Sequence, residues 1–235
     1  VLRPQYRGSD GLGLQLWLAG DENWGLKMQD DKDDGAQWLV DQGIADPRKI
    51  AIFGYSYGGF AAIAASADYV DSDEIVDHAS ETALFVILDG VEDPRNLGAI
   101  LRTVECARAD GVFIPERRAV GLTETVAKSS AGAIEHVKVA KVTNLNRFIE
   151  DLKEKNVWVV GTSGDATMSY TEWDWTTPTA LVLGAEGSGL HRLVAENCDA
   201  LVKIPMYGKI DSLNVSVAAG VILFEARRQR DLKQE

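Results

Sequence analysis

Chemistry in this chain can be sought at two places, and in both an apolar run that reads as a buried strand ends in a glycine-bearing turn ahead of a helical pattern. The first is LVLGAEGSGL, residues 181–190, followed by LVKIPMYGKIDSLNVSVAAGVILF, residues 201–224. Gly184, Gly187 and Gly189 permit a tight turn around something flat or small, and Ser212 can cap a helix carrying Leu213, Val215, Ala218, Ala219 and Ile222. Strand ends supply backbone hydrogen-bond groups and the helix supplies an N-terminus, so the pair reads as a cofactor pocket. The second place is Gly54-x-Ser56-x-Gly58, between the strand KIAIFG and an alanine-rich helix from Phe60 to Ala67. This is the nucleophile-elbow pattern, in which a sharp turn exposes the serine hydroxyl and the helix N-terminus favours an oxyanion.

A further block, LDGVEDPRNLGAILRTVECARADGV at residues 88–112, predicts a helix whose buried stripe is Leu97, Ile100, Leu101 and Val104. Arg102 points away from that stripe and is free to reach a site. Taken singly, Arg102 reads as a solvated charge, Glu186 as a surface carboxylate and Met206 as a core residue. Taken in order and at their spacing, the three blocks resemble the three motifs of the SpoU family of RNA 2'-O-ribose methyltransferases, over about residues 83–230. Asn96, Gly98 and Arg102 match the N-x-G-x-x-x-R of the first motif, and Glu186 matches the glutamate of the second.

The resemblance implies a C-terminal trefoil-knotted α/β (SPOUT) domain with S-adenosylmethionine bound in a bent form at the knot. Leu183, Gly184, Ile204, Met206 and Leu213 are expected to form the adenosyl slot, with Glu186, Gly187, Ser212 and Asn214 around it. Asn96 and Asn214 are expected to hold the ribose or tie the loops together, and Glu186 to hold Asn96 or neighbouring amides. The family assigns activation of the 2'-hydroxyl to the arginine, here Arg102. Arginine stays protonated, so the expectation is that Arg102 orients phosphate and ribose and stabilises developing oxyanion character. The resemblance further implies an RNA partner and a homodimer built partly on the C-terminal helix. The ending SLNVSVAAGVILFEARRQR points to the branch acting on a guanosine of large-subunit ribosomal RNA. No cysteine–histidine cluster points to a metal.

Residues 2–67 are similar instead to part of the catalytic domain of the prolyl oligopeptidase family, through YRGSDGLG, Trp24-Gly25 and WLVDQGIADPRKIAIFGYSYGG. Ser56 matches the nucleophile and Tyr57 the residue whose amide helps form the oxyanion hole. A serine needs a base within reach and an acid behind it. The territory for both is occupied by the methyltransferase-like sequence, and His78, His136 and His191 do not match the hydrolase pattern. A retained strand–turn–helix unit is the stronger reading, with a serine hydrolase acting through Ser56, or an inactive cofactor- or RNA-binding module, as alternatives.

The elements that must position these groups alternate as strand and helix from Ala83 onward, which predicts a parallel α/β layer arrangement. The expected organisation is a hydrolase-like fragment at 1–67, an acidic linker at 68–82 in which Ile75 and Val76 could anchor a short packed piece, and the methyltransferase domain at 83–235. Trp173 and Trp175 are expected to plug a hydrophobic region under a loop. Residues 1–80 carry 14 acidic and 6 basic groups of a chain whose net charge is -12, so the imbalance lies mainly outside the methyltransferase-like region. That charge argues against a broad electrostatic grip on nucleic acid. A local basic patch from Arg95, Arg102, Arg117, Arg118 and Lys128 remains open to RNA. Cys106 and Cys198 are expected to be reduced core thiols, consistent with a cytoplasmic protein. No run of apolar residues predicts a membrane span or a leader.

Overall fold

The computed structural model describes residues 34, 37–42, 69–117 and 119–234, and the chain divides into two compact units, Val1–Ser66 and Ala67–Glu235. In the first unit the described residues are helical at 34 and 37–41, with Leu39 and Val40 half-buried and Trp38 exposed. The Gly54-x-Ser56-x-Gly58 elbow, Tyr57 and Ala36 lie outside the described residues, as does Arg118.

The second unit is a seven-stranded sheet flanked by helices: α1 (Ser72–Asp77), β1 (Leu84–Asp89), α2 (Pro94–Cys106), β2 (Gly111–Pro115), α3 (Glu124–Ser129), β3 (Val139–Val142), α4 (Leu145–Glu154), β4 (Trp158–Thr162), β5 (Met168–Ser169), β6 (Thr179–Gly184), α5 (Arg192–Asn197), β7 (Ala200–Lys203) and α6 (Val215–Gln234). The strand order is β3-β2-β1-β6-β4-β7-β5, and every pairing is parallel. Both faces of a parallel sheet are covered, which is why β1 and β6 read as unbroken apolar runs. Along β1, Leu84, Val86 and Leu88 pack with α2, α3 and α6, while Phe85 and Ile87 pack on the opposite face with α1, α4 and α5.

The stripe expected on α2 is present: Leu97, Ile100, Leu101 and Val104 are fully buried, each contributing about 1.5–3 kcal/mol by removal from water. Gly98 lies where α3 crosses α2, and a Cβ there would sit 1.9 Å from Ser129 Oγ and 2.8 Å from the Val126 carbonyl oxygen. The glycine of the first motif is thus a packing requirement. Helix α6 closes the same face, its Ala219, Ile222 and Leu223 buried. Arg227 donates from Nε and Nη2 to the Ala107 carbonyl at 3.3 and 3.1 Å, satisfying the end of α2. Arg230, only 8% exposed, donates to the carbonyls of Trp175, Thr82, Ala83 and Thr177, pinning α6 to the start of β1.

Within the acidic segment 68–82 Ile75, 1% exposed, anchors a short packed piece as expected: it is helix α1, whose first turn Asp71 caps by accepting from the Asp73 amide. Two expectations need correction. Leu213 is not on the C-terminal helix, which begins at Val215, and it is 40% exposed. Cys106 is exposed at the end of α2 because it falls off the buried stripe; Cys198 is half-buried, and burial pushes its thiol up to about 12. Trp175 is fully buried, with Nε1 donating to the Tyr170 carbonyl at 2.7 Å, and Trp173 packs edge-on against Trp158.

Candidate active site

The sheet places its chemistry at the C-terminal ends of β1 and β6. These neighbours run in register from Leu84 opposite Thr179 to Asp89 opposite Gly184. From β1 the chain builds outward through β2 and β3, then returns to the other side, where β6 is inserted between β1 and β4. Such a reversal opens a crevice at the carboxyl ends of the strands.

Three loops meet there. After β1, Gly90 turns with φ 79 and Asp93 caps α2, its carboxylate accepting from the Arg95 amide at 2.8 Å. The cap, followed by Pro94 at the first helical position, starts the helix where Asn96 falls in its first turn. After β6, the chain folds back on itself through an antiparallel bridge between Ala185 and Gly189. A Cβ on Gly184 would lie 2.2 Å from the Gly189 carbonyl carbon, so only glycine admits that return. Gly187 (φ 81) and Gly189 (φ 66) supply the left-handed turns that present Glu186 at the tip. After β7, the segment 204–214 leads to α6.

Asn214 joins the three loops. Its Oδ1 accepts from the Ser216 amide at 2.9 Å and from Ser216 Oγ at 2.6 Å, capping α6. A backbone amide only donates, so this bond settles the orientation of the Asn214 side chain and leaves Nδ2 facing the other loops. Nδ2 donates to Asn96 Oδ1 at 3.0 Å and to Glu186 Oε1. The cap is therefore Asn214 and not the expected Ser212, whose hydroxyl donates to Asp211 instead, at 3.3 Å. With Oδ1 engaged, Asn96 retains Nδ2, which has no partner among the described residues.

Asn96 and Glu186 line a cavity of about 380 Å³ together with Gly90, Glu92, Ser188 and His191. A second cavity, of about 430 Å³, lies on the other side of His191, lined among others by Asp89, Arg117, Asn144 and Arg192. Arg102 lines neither; it is exposed on α2, six residues beyond Asn96, without a partner among the described residues. Leu183 is buried at the end of β6, Ile204 and Met206 are half-buried after β7, and Leu213 is exposed just ahead of α6. Leu183, Ile204, Met206, Ser212 and Leu213 line neither cavity. Sequence reasoning missed the partnership of His191 with Asp89, whose only signals were an aspartate at a strand end and a histidine just after a glycine turn.

The residues suit an adenosyl ligand. The Gly184 cradle holds the backbone of the β6 loop where a Cβ would block it. The β7–α6 segment leaves Tyr207, Ile210 and Leu213 uncovered at 96%, 75% and 40% exposure. Backbone groups and unsheltered apolar carbons are the two kinds of surface that an adenine edge and face need.

Comparison with known proteins agrees with this geometry. The description "SpoU rRNA Methylase family" matches residues 83–224, and "Prolyl oligopeptidase family" matches residues 1–72. A protein of Bacillus subtilis (strain 168) named as a TrmH family tRNA/rRNA methyltransferase, YacO, is 43% identical over 226 residues, 95% of this chain and 91% of the relative. The SpoU methyltransferase AviRb from Streptomyces viridochromogenes in complex with AdoMet superposes with TM-score 0.65 at 29% identity, covering 70% of this chain and 66% of that one. An AdoMet-bound rRNA methyltransferase from Sinorhizobium meliloti superposes with TM-score 0.63 at 33% identity, covering 68% of this chain and 61% of that one.

The second unit thus has the trefoil-knotted α/β fold of the SPOUT methyltransferases. The chain belongs to the SpoU rRNA methylase family, enzymes that use S-adenosylmethionine to methylate RNA at the ribose 2'-hydroxyl.

Proposed function

We propose that this chain methylates the ribose 2'-hydroxyl of a guanosine in large-subunit ribosomal RNA, using Asn96, Arg102, Glu186 and Asn214 as its working polar groups. The observation that carries the reading is the junction of Asn214 with Asn96 and Glu186, one residue from each motif loop. S-adenosylmethionine supplies an electrophilic methyl group when bound. Leu183, Gly184, Ile204, Met206 and Leu213 hold the adenosyl part, with Gly187 and Ser212 shaping the two loops. Asn96 donates from Nδ2 to the ribose, and Glu186 keeps Asn214 in place. Arg102 binds the RNA phosphate and stabilises the oxyanion as it develops. The value of this arrangement is positional, because holding two reactants in line removes much of the entropic part of the barrier.

A homodimer across α6 belongs to the same reading. Val217 and Phe224, two turns apart, are 50% and 52% exposed on the side of α6 turned away from its own core. Thr103, next to Arg102 on α2, lies against Gly220 of α6. Phe224→Asp should convert a dimer to a monomer in light scattering, and an unchanged dimer contradicts this interface. No helix among the described residues is long and apolar enough to cross a membrane. Free thiols at Cys106 and Cys198 support a cytoplasmic setting. The proposed organisation keeps residues 1–67 as a hydrolase-like fragment and 68–82 as a connection to the methyltransferase domain.

The test is incubation with unmodified large-subunit ribosomal RNA and methyl-labelled S-adenosylmethionine, followed by digestion to nucleosides. Label in 2'-O-methylguanosine is expected; label on a base, or none, contradicts the proposal.

A further inference from the structure

A 2'-hydroxyl must lose its proton as the methyl group arrives, and Arg102, which stays protonated, is no acceptor for it. Of the four titratable side chains lining the cavity of Asn96 and Glu186, two are committed elsewhere. Glu186 accepts from Asn214, and Asp93 caps α2. Glu92 is exposed, and no group among the described residues holds its carboxylate in place.

His191 is held differently. Asp89, at the C-terminal end of β1, is 4% exposed and directs both carboxylate oxygens at this one residue. Oδ2 accepts from the His191 backbone amide at 2.7 Å, and Oδ1 lies 2.8 Å from Nδ1 of the ring. An ionised carboxylate only accepts, so the hydrogen of a neutral ring sits on Nδ1 and the lone pair on Nε2. The ring edge packs over Gly90, where a Cβ would stand 3.4 Å from Cε1. The side chain is 54% exposed and lines both cavities. The groups facing it are Asp89 from β1, Glu92 and Asp93 from the β1–α2 loop, and Glu186 from the β6 loop. On the side of the second cavity stand Arg117 and Arg192, the latter paired to Glu196 at 2.6 Å. A buried acid behind an imidazole that opens into the cavity of Asn96 and Glu186 matches the arrangement by which enzymes fix a tautomer and stabilise the imidazolium that forms.

We propose that His191 Nε2 accepts the 2'-hydroxyl proton during methyl transfer and that Asp89 is its positioning residue. The inference rests on the methyltransferase reading of this cavity. An oxygen lone pair would form the new bond to the methyl group as the donor's bond from sulfur to methyl breaks and leaves its pair on the sulfur of S-adenosylhomocysteine, while the O–H pair stays on oxygen. The proton moves to Nε2, the imidazolium is neutralised by the Asp89 carboxylate, and the proton then passes to water.

The test pairs a structural readout with a kinetic one. Long-range proton–nitrogen NMR of the full chain at alkaline pH should show His191 as the Nδ1–H tautomer with an unprotonated Nε2, and Asp89→Asn should mix the tautomers. His191→Gln should lower kcat by about a hundredfold and remove the acid limb of its pH profile. S-adenosylhomocysteine affinity should stay within about twofold, because none of Leu183, Gly184, Ile204, Met206 and Leu213, to which the adenosyl part is assigned, lines either cavity that His191 lines. A wild-type Nε2–H tautomer, or unchanged kcat in a folded His191→Gln, overturns the proposal. Absence of S-adenosylhomocysteine binding by the wild type would strike at the methyltransferase reading alone, and the tautomer would still decide the dyad.

Discussion

Arg102→Ala is expected to lower kcat for methyl transfer by about two to three orders of magnitude, the cost of removing one preorganised charge-stabilising donor, while S-adenosylhomocysteine affinity stays within about twofold. The separation follows from where the side chain stands. Arg102 is exposed, has no partner among the described residues and lines neither cavity, so its loss removes no contact that holds the motif loops. Surface substitutions of that kind change stability by about 0.5 kcal/mol or less. On the proposed reading what is lost is a cation that would hold phosphate and meet charge appearing on oxygen, an interaction stronger in the transition state than before it. Kinetics with RNA in excess, beside calorimetry with the cofactor product, check both halves. Unchanged turnover would make Arg102 a solvated surface charge.

Asn214→Ala should fail differently, through the cofactor. One amide caps α6, donates to Asn96 and donates to Glu186. Removing it leaves Asn96, only 8% exposed, without the donor to its Oδ1 and α6 without its cap. A lost cap costs about 1 kcal/mol and a lost hydrogen bond to a charged group about 1.5–3 kcal/mol. Because all three groups fix loops that bound the pocket, the expected result is a fall in S-adenosylhomocysteine affinity on the order of a hundredfold, with a lowered melting temperature. Wild-type affinity in this variant would mean that the junction is incidental to the pocket.

Much of this site was legible because its parts are local. The Gly-rich turn after Leu181–Leu183 and the stripe on α2 each depend on residues within one or two turns, and each is present. The contacts that join the loops are long-range. Asn214 and Asn96 are 118 residues apart, and His191 and Asp89 are 102 apart. Choosing Ser212 as the cap was reasonable by residue type, since serine and asparagine cap equally well. Tertiary bonds to Asn96 and Glu186 decide for Asn214. Helix α5 was missed because six residues with a single buried side chain, Val194, carry too little periodicity. Insertion of β6 between β1 and β4 is a property of the threading, which no local pattern encodes.

Drawn together by Asn214, the three loops are proposed to make one S-adenosylmethionine pocket in this chain before any RNA binds. Calorimetric titration of the purified, ligand-free chain with S-adenosylhomocysteine tests it most directly. Saturable binding at one site per chain is expected, weakened in Asn214→Ala. A folded chain that takes up no ligand would contradict it.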